Sequence, residues 1–146
     1  MLPVQYKTGV IAEHMAVRKS AGLFDVSHMG EVIIKGKDAL SNIQMLITND
    51  CSRMIDGQVR YSPMCNEKGG VIDDLLVYKI SGEQYFIVVN ASNRRKDVQW
   101  MKSHLKGDAE LIDISDEMAL IALQGPMSTV ILGKVADASK LPVKYY

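Results

Sequence analysis

Hydrophobic and polar positions change period in a regular order along this chain, and the order predicts an antiparallel sheet flanked by helices. The spacing predicts a helix over 10–20, with Val10, Ile11, Met15 and Val17 facing inward and Gly22 just past its end. Weak alternation over 29–35 predicts a strand closed by Gly36. Asp38 stands where it can cap a helix over 39–47, in which Leu40, Ile43 and Ile47 form one stripe. Strands follow over 59–65, 71–80 and 84–90, separated by turn-forming residues at 66–70 and 81–83. Ser92 is placed to cap a helix that runs to 105, with Val98, Met101 and Leu105 inward and Arg94, Arg95 and Lys96 outward. Strands over 109–114 and 118–123 precede a helix over 127–135, which Pro126 introduces. Residues 136–146 show no clear period. Strands joined by tight hairpins cannot be parallel. The fold class expected is therefore α+β: an antiparallel sheet with flanking helices and a split βαβ-like middle.

Length and composition narrow the function. The 146 residues are close to one ordinary domain, and 47% of them are hydrophobic, enough for a core. Seventeen basic residues balance seventeen acidic ones, so no net field draws nucleic acid. No apolar run has the length of a membrane-spanning helix, and no secretory leader is visible. Cys51 and Cys65 match no metal or redox spacing and read as reduced structural thiols of a cytoplasmic protein. Neither a nucleic acid, a membrane nor a metal is expected as a partner.

The segment from Gly69 to Tyr78 carries the most chemical information. It sets Asp73 and Asp74 inside a hydrophobic run that otherwise reads as a buried strand. Aspartate is depleted in strands, and burying a charge is costly unless something pairs with it. Alternation puts Ile72, Asp74, Leu76 and Tyr78 on one face and Val71, Asp73, Leu75, Val77 and Lys79 on the other. Asp74 thus shares its face with apolar residues, whereas Asp73 shares its face with a lysine and is expected to reach solvent. The plain alternative is that both cap the end of the hairpin. Tyr61 on the preceding strand and Tyr78 on this one add aromatic surface near the carboxylate. Such a set suits a flat, nitrogen-rich heterocycle, its faces packed by rings and its N–H groups accepted by the carboxylate. Asn90 ends a strand just before a helix and offers an amide donor and acceptor.

Other clusters are weaker. Asp25, Ser27 and His28 suggest a hydrolase triad, but triad members converge from different elements and no G-x-S-x-G turn is present. A turn held by local side-chain hydrogen bonds explains them better. His14, His28 and His104 do not make a metal site by spacing. The Gly69-Gly70 pair sits in a hairpin, so it is no dinucleotide fingerprint, and there is no Walker A loop.

Several pieces together resemble the aminomethyltransferase family, the folate-dependent T-proteins of the glycine cleavage system. They are Pro3-Val4-Gln5-Tyr6, Glu13-His14 with Arg18, residues 21–31, Arg60-Tyr61-Ser62, residues 69–77, residues 88–93 and residues 119–126. The Gly22-Leu23-Phe24-Asp25-Val26-Ser27-His28-Met29-Gly30 and Leu123-Gln124-Gly125-Pro126 pieces are the most specific. The resemblance implies transfer of the methylene carbon from the aminomethyl-lipoyl arm of the H-protein to tetrahydrofolate, with release of ammonia. It implies tetrahydrofolate as co-substrate, no metal, and the lipoylated H-protein as partner. Asp74 would be the catalytic carboxylate beside the pterin, with Met29, Tyr61, Tyr78, Val89 and Asn90 as folate contacts. Family members are longer, so the resemblance also implies a fragment: 1–28 a partial first-domain segment, 29–114 the central α+β domain, and 115–146 a truncated return into the first domain. Two alternatives stay open. One is a folded module that binds folate or protein without catalysis; the other is a related folate-dependent enzyme of the same superfamily.

Overall fold

Runs rich in β-branched and aromatic residues form the strands, and the stretches of 3.6-residue period form the helices. The computed structural model describes residues 3–137, 139 and 141. In chain order these contain α1 (Val10–Lys19), β1 (Gly22–Asp25), β2 (Gly30–Lys35), α2 (Ala39–Leu46), β3 (Val59–Cys65), β4 (Val71–Ser81) and β5 (Gln84–Val89). A 3-10 turn (Ala91–Asn93), α3 (Arg94–His104), β6 (Glu110–Asp113), a second 3-10 turn (Ser115–Glu117), β7 (Ile121–Gln124) and α4 (Ser128–Leu132) follow. The described residues divide into two units, one built from those up to Val26 and from Leu120 onward, the other from Ser27–Ala119.

The Ser27–Ala119 unit holds a five-stranded sheet in the order β3-β4-β5-β2-β6, antiparallel at every pairing. The fold is α+β as the sequence predicts. β5 and β6 both run antiparallel to β2, which lies between them, so β5, α3 and β6 form the split βαβ unit. One face of the sheet is the core. Val32, Ile34, Met64, Leu75, Val77, Tyr85, Ile87 and Val89 pack there with Ala39, Ile43 and Leu46 of α2 and Val98 and Met101 of α3. Each fully buried aliphatic side chain stabilises the fold by roughly 1.5–3 kcal/mol before chain entropy is subtracted. Gly36 turns β2 toward α2 at φ +124, and a Cβ there would stand 2.2 Å from the Asp108 carbonyl oxygen, so only glycine fits.

Several elements depart from the sequence reading. Asp38 occupies the N-cap of α2, yet its side chain makes no cap. Its Oδ2 accepts instead from the Asp108 N–H at 2.8 Å, tying the start of α2 to the loop before β6. Ser92 does not cap α3: it lies inside the 3-10 turn, and Asn93 takes the N-cap position. Strand β7 starts at Ile121, later than expected, and α4 is shorter than expected. The larger difference is β1. The piece expected to be a turn contains a strand, Gly22–Asp25, paired antiparallel with β7 from Gly22↔Gln124 to Asp25↔Ile121. Its ladder comes from a partner far along the chain, which local spacing does not reveal. In the same unit, α1 forms where expected, but Ile11 is 79% exposed and no residue of the helix is buried. Among the described residues this unit offers only a two-stranded ladder and the short α4, too little surface to receive an apolar stripe.

Candidate functional site

The second face of the five-stranded sheet carries the chemistry. Alternation on β4 assigns the faces as the sequence predicts, but the buried face is the other one. Asp73, Leu75 and Val77 point into the core, Asp73 being only 7% exposed, while Asp74, Leu76 and Tyr78 lie half-buried on the open face; Ile72, at the register shift beside Cys65, packs against the core. The expectation that Asp73, rather than Asp74, reaches solvent is therefore corrected. Both faces of β4 are apolar enough to be buried, and the helices cover the face on which Asp73 meets Asp97 of α3.

Register across the sheet builds the site around Asp74. Pro63 of β3 stands opposite Asp74. Leu75 pairs with Val89, so the next residue of β5's chain, Asn90, comes beside Asp74. Gly30 pairs with Val89 from the other side, which brings the preceding residue, Met29, to the same end of the sheet as Asn90. The Tyr61 hydroxyl donates a hydrogen bond to Asp74 Oδ2. The Asn90 amide nitrogen donates to Asp74 Oδ1 at 3.1 Å and to the Asp74 carbonyl at 3.1 Å. Asp74 is thus held at both carboxylate oxygens, each with a further lone pair for a ligand.

The remaining predicted residues are spread. Tyr78 shares the open face but sits about 13 Å along the strand from Asp74 at 3.3 Å per residue. Its ring packs edge-on against Phe86, its register partner, with centroids 5.7 Å apart and planes at 71°. Val89 does not join the group: its side chain is 1% exposed in the core, on the opposite face. Asp25 ends β1, and Ser27 and His28 lie in the turn that follows. Glu31, on the open face and registered with Val88, is fully buried, and neither of its oxygens accepts a hydrogen bond among the described residues. Burial pushes its carboxyl pKa up, the Arg94 charge works against that shift, and the Asp113 charge adds to it.

The sequence reading missed the groups behind Asp74. The Asn90 amide nitrogen also donates to Asp73 Oδ1 at 3.0 Å. Asp73 in turn meets Asp97, which is fully buried on α3. Burial, followed by the hydrogen bond with Asp73 and the Asp73 charge, pushes Asp97 up to about 7. Burial pushes Asp73 up as well. Hydrogen bonds from Asp97, Asn90, the Asp74 backbone and Asn93 outweigh it and hold Asp73 below its ordinary value. One signal for Asp97 was present in the sequence: position 97 lies beside Val98 and one turn before Met101, on the inward stripe of α3. A second missed network closes the start of α3, where Arg94 pairs with Asp113 at 3.1 Å and Asp116 at 2.8 Å.

Among the described residues, no group of three His, Cys, Asp or Glu side chains could hold a metal, both cysteines are free, and no helix is long and apolar enough to cross a membrane.

Fold and site together define an antiparallel α+β domain with a carboxylate fixed by a phenol and an amide on its open sheet face. The profile of the GCVT N-terminal domain family matches residues 1–146, and the chain belongs to that family. It is 52% identical over 147 residues to an aminomethyltransferase of Clostridium botulinum, covering 99% of this chain and 39% of the relative. Aminomethyltransferases of Geobacillus sp. and Desulfitobacterium hafniense are 50% and 53% identical, each over 99% of this chain and 40% of their own length. The crystal structure of the glycine cleavage system aminomethyltransferase T from Bartonella henselae superposes with a TM-score of 0.88 at 31% identity, over 95% of this chain and 38% of that one. The chain therefore spans about two fifths of the length of the relatives it matches.

Proposed function

We propose that this chain provides the carboxylate side of a tetrahydrofolate site in an aminomethyltransferase of the glycine cleavage system. The reaction moves the methylene carbon from the aminomethyl-lipoyl arm of an H-protein onto tetrahydrofolate. A folate nitrogen attacks the aminomethyl carbon and its C–N bond to ammonia breaks. Closure by the second folate nitrogen then breaks the C–S bond. The two protons that leave the folate nitrogens end on ammonia and on the carrier sulfur, so atoms and charge balance without a metal or redox step. Asp74 is the group assigned to orient the attacking nitrogen and to accept or relay its proton. Met29, Tyr61 and Asn90 flank it as pterin contacts, and Tyr78 lies along the same face toward the rest of the folate. Residues 29–114 are read as the central domain and the flanking segments as parts of the first. The cytoplasm is the compartment that suits its two free thiols.

The observation that carries this reading is the open-face Asp74 carboxylate gripped by Tyr61 and Asn90. The names of relatives at half identity support it. The test joins this chain to the remaining region of the Clostridium botulinum relative and measures ammonia released from aminomethyl-loaded H-protein and tetrahydrofolate. Turnover in the joined protein that falls by about 10²-fold or more in Asp74→Asn, with circular dichroism unchanged, is the expected result. Asp74→Asn at near-wild-type turnover sinks the assignment. A second reading rests on the chain's share of its relatives' length: alone, it binds tetrahydrofolate or the H-protein without turnover. Calorimetric titration of tetrahydrofolate into the unjoined chain distinguishes binding without catalysis from a site that needs the further region.

A further inference from the structure

Asp73 and Asp97 take no direct part in the reaction as written, yet both are buried where only a proton can reconcile them. Asp97 is fully buried, and Asp73 is 7% exposed. Among the described residues, nothing but a proton held between the two acids themselves is placed to hydrogen-bond to either oxygen of Asp97 or to Asp73 Oδ2. As two ionised carboxylates they would set like charges together with three oxygens unsatisfied, a costly arrangement away from water. A proton on Asp97 removes one charge and supplies the missing donor to Asp73.

Asp73 passes this state forward. The Asn90 amide nitrogen has two protons and faces three oxygens: Asp73 Oδ1, Asp74 Oδ1 and the Asp74 carbonyl. A flipped amide would turn its own oxygen toward all three. The negative charge kept on Asp73 therefore joins the two Asp74 oxygens in fixing which way Asn90 points, and Asn90 holds one oxygen of Asp74.

We propose that Asp73 and Asp97 are positioning residues that share one buried proton and, through the Asn90 amide, hold the Asp74 carboxylate in its orientation. Three elements contribute charged or polar groups to the pair. Asp73 itself is on β4, and Lys96 is on α3, its Nζ 3.8 Å from Asp97 Oδ1. Asn90 and Asn93 lie at the turn between β5 and α3. Lys96 does not replace the proton: its Nζ donates to the Ile72 carbonyl at 2.5 Å, and its side chain is half exposed. The raised Asp97 pKa has the same direction as this geometry. Loss of the proton at higher pH leaves Asp73 without its donor and weakens the set of the amide. The proposal rests on the folate reading only for what Asp74 then does.

The test reads the pair without folate. NMR of the whole chain, with 13C at the aspartate carboxyls and 15N at the asparagine side chains, is followed from pH 4 to 9. The expected result is a single proton lost by the pair well above the ordinary aspartate range, with the Asn90 amide and Asp74 carboxyl signals moving at the same midpoint. In Asp97→Asn, whose amide donates at every pH, the movement of Asn90 disappears. In Asp97→Leu, which has no donor, Asn90 stays at the wild-type high-pH position. If Asp97 titrates in the ordinary aspartate range, or Asn90 and Asp74 ignore its titration, the proposal is overturned. The wild-type titration decides this even where a variant fails to fold.

Tetrahydrofolate binding by calorimetry adds the functional arm, with Asp74→Asn measured alongside. Asp97→Leu is expected to raise Kd about three- to tenfold, the equivalent of one neutral hydrogen bond, and Asp97→Asn to restore most of that loss. An unchanged Kd in Asp97→Leu, where Asp74→Asn does weaken binding, overturns the positioning role. If Asp74→Asn leaves Kd unchanged, Asp74 adds nothing to binding, the folate reading is judged by turnover, and the NMR arm alone judges the pair.

Discussion

Replacing Asp97 by asparagine should make the protein more stable at neutral pH and leave it nearly unchanged in acid. The carboxyl sits at about 7 in the folded chain against an ordinary value of 3.8. A raised acid pKa means that the folded state holds a proton the unfolded state has released. Its stabilising effect is whole below the unfolded value and is lost as pH rises toward the folded one. Between pH 4 and 7 the loss is about 1.4 kcal/mol per pH unit, so the full window is on the order of 4 kcal/mol. Asp73 has the opposite sign, because its folded pKa is held down, and its contribution fades only as pH falls below the ordinary aspartate range. The pair titrates as a unit, and the window above pH 4 belongs to the proton centred on Asp97. Asparagine keeps the donor and cannot ionise. The assay is urea unfolding at pH 5, 6, 7 and 8, followed by fluorescence of Trp100, the chain's one tryptophan, which lies on α3 one turn from Asp97. Asp97→Asn should exceed wild type by about 1–2 kcal/mol at pH 5 and by about 4 kcal/mol at pH 8. Parallel stability curves for the two proteins across this range would refute the shared-proton account.

Tyr61→Phe removes one donor from Asp74 at a side chain 52% exposed, so Tm should barely move while tetrahydrofolate Kd rises about tenfold, the low end for a hydrogen bond to a charged group. An unchanged Kd by calorimetry would take Tyr61 out of the site. Ile34→Ala empties part of the core at a position with no exposure and should cost about 2–5 kcal/mol in urea unfolding. Glu67→Gln should lower the pKa of His104, measured by proton NMR. The Trp100 carbonyl, then the Glu67 carboxylate at 3.1 Å, hold that imidazole above its ordinary value. The wild-type contact stabilises below pH 6.5 and fades as pH rises through the folded pKa, so the two proteins should converge in stability at alkaline pH.

The strands of the sheet were legible because their alternation and turn residues are local. The hairpin from Val59 to Ser81 and its continuation to Val89 fall where the pattern places them. What failed was non-local. Strand β1 is held by β7, whose residues lie at the other end of the chain, and a four-residue strand has no period strong enough to announce itself. The apolar stripe of α1 is legible in its spacing but its lack of cover is not, since covering depends on surface that the sequence of the helix does not describe. At the site, the motifs point to Asp74, Tyr61 and Asn90, which the sheet register brings into hydrogen-bonding reach, whereas alternation separates the two faces of β4 without telling which of them the helices cover. Val89 belongs to the same motif, but the alternation that exposes Asn90 turns Val89 into the core.

The doubled aspartate is where local and long-range constraints meet. Adjacent strand residues must face opposite ways, so Asp73-Asp74 cannot present two carboxylates to one ligand. One of them has to enter the core, and the core must then provide for it. Asp97 does so from α3, and its position on the helix's inward stripe would suit an aliphatic residue if packing were the only demand. An aliphatic side chain there would leave Asp73 buried with no donor to its outer oxygen. An aliphatic side chain at Asp73 would leave Asn90 with one acceptor fewer, and only the two Asp74 oxygens would set its amide. Each polar residue thus makes sense only through the next, from Asp97 to Asp73, Asn90 and Asp74, and the chain of contacts ends at the only one of the three carboxylates that stands on the open face. The buried acids are best understood as the support of that open carboxylate rather than as a stabilising device, because a pair that must capture a proton to fold is a liability at neutral pH by the arithmetic above.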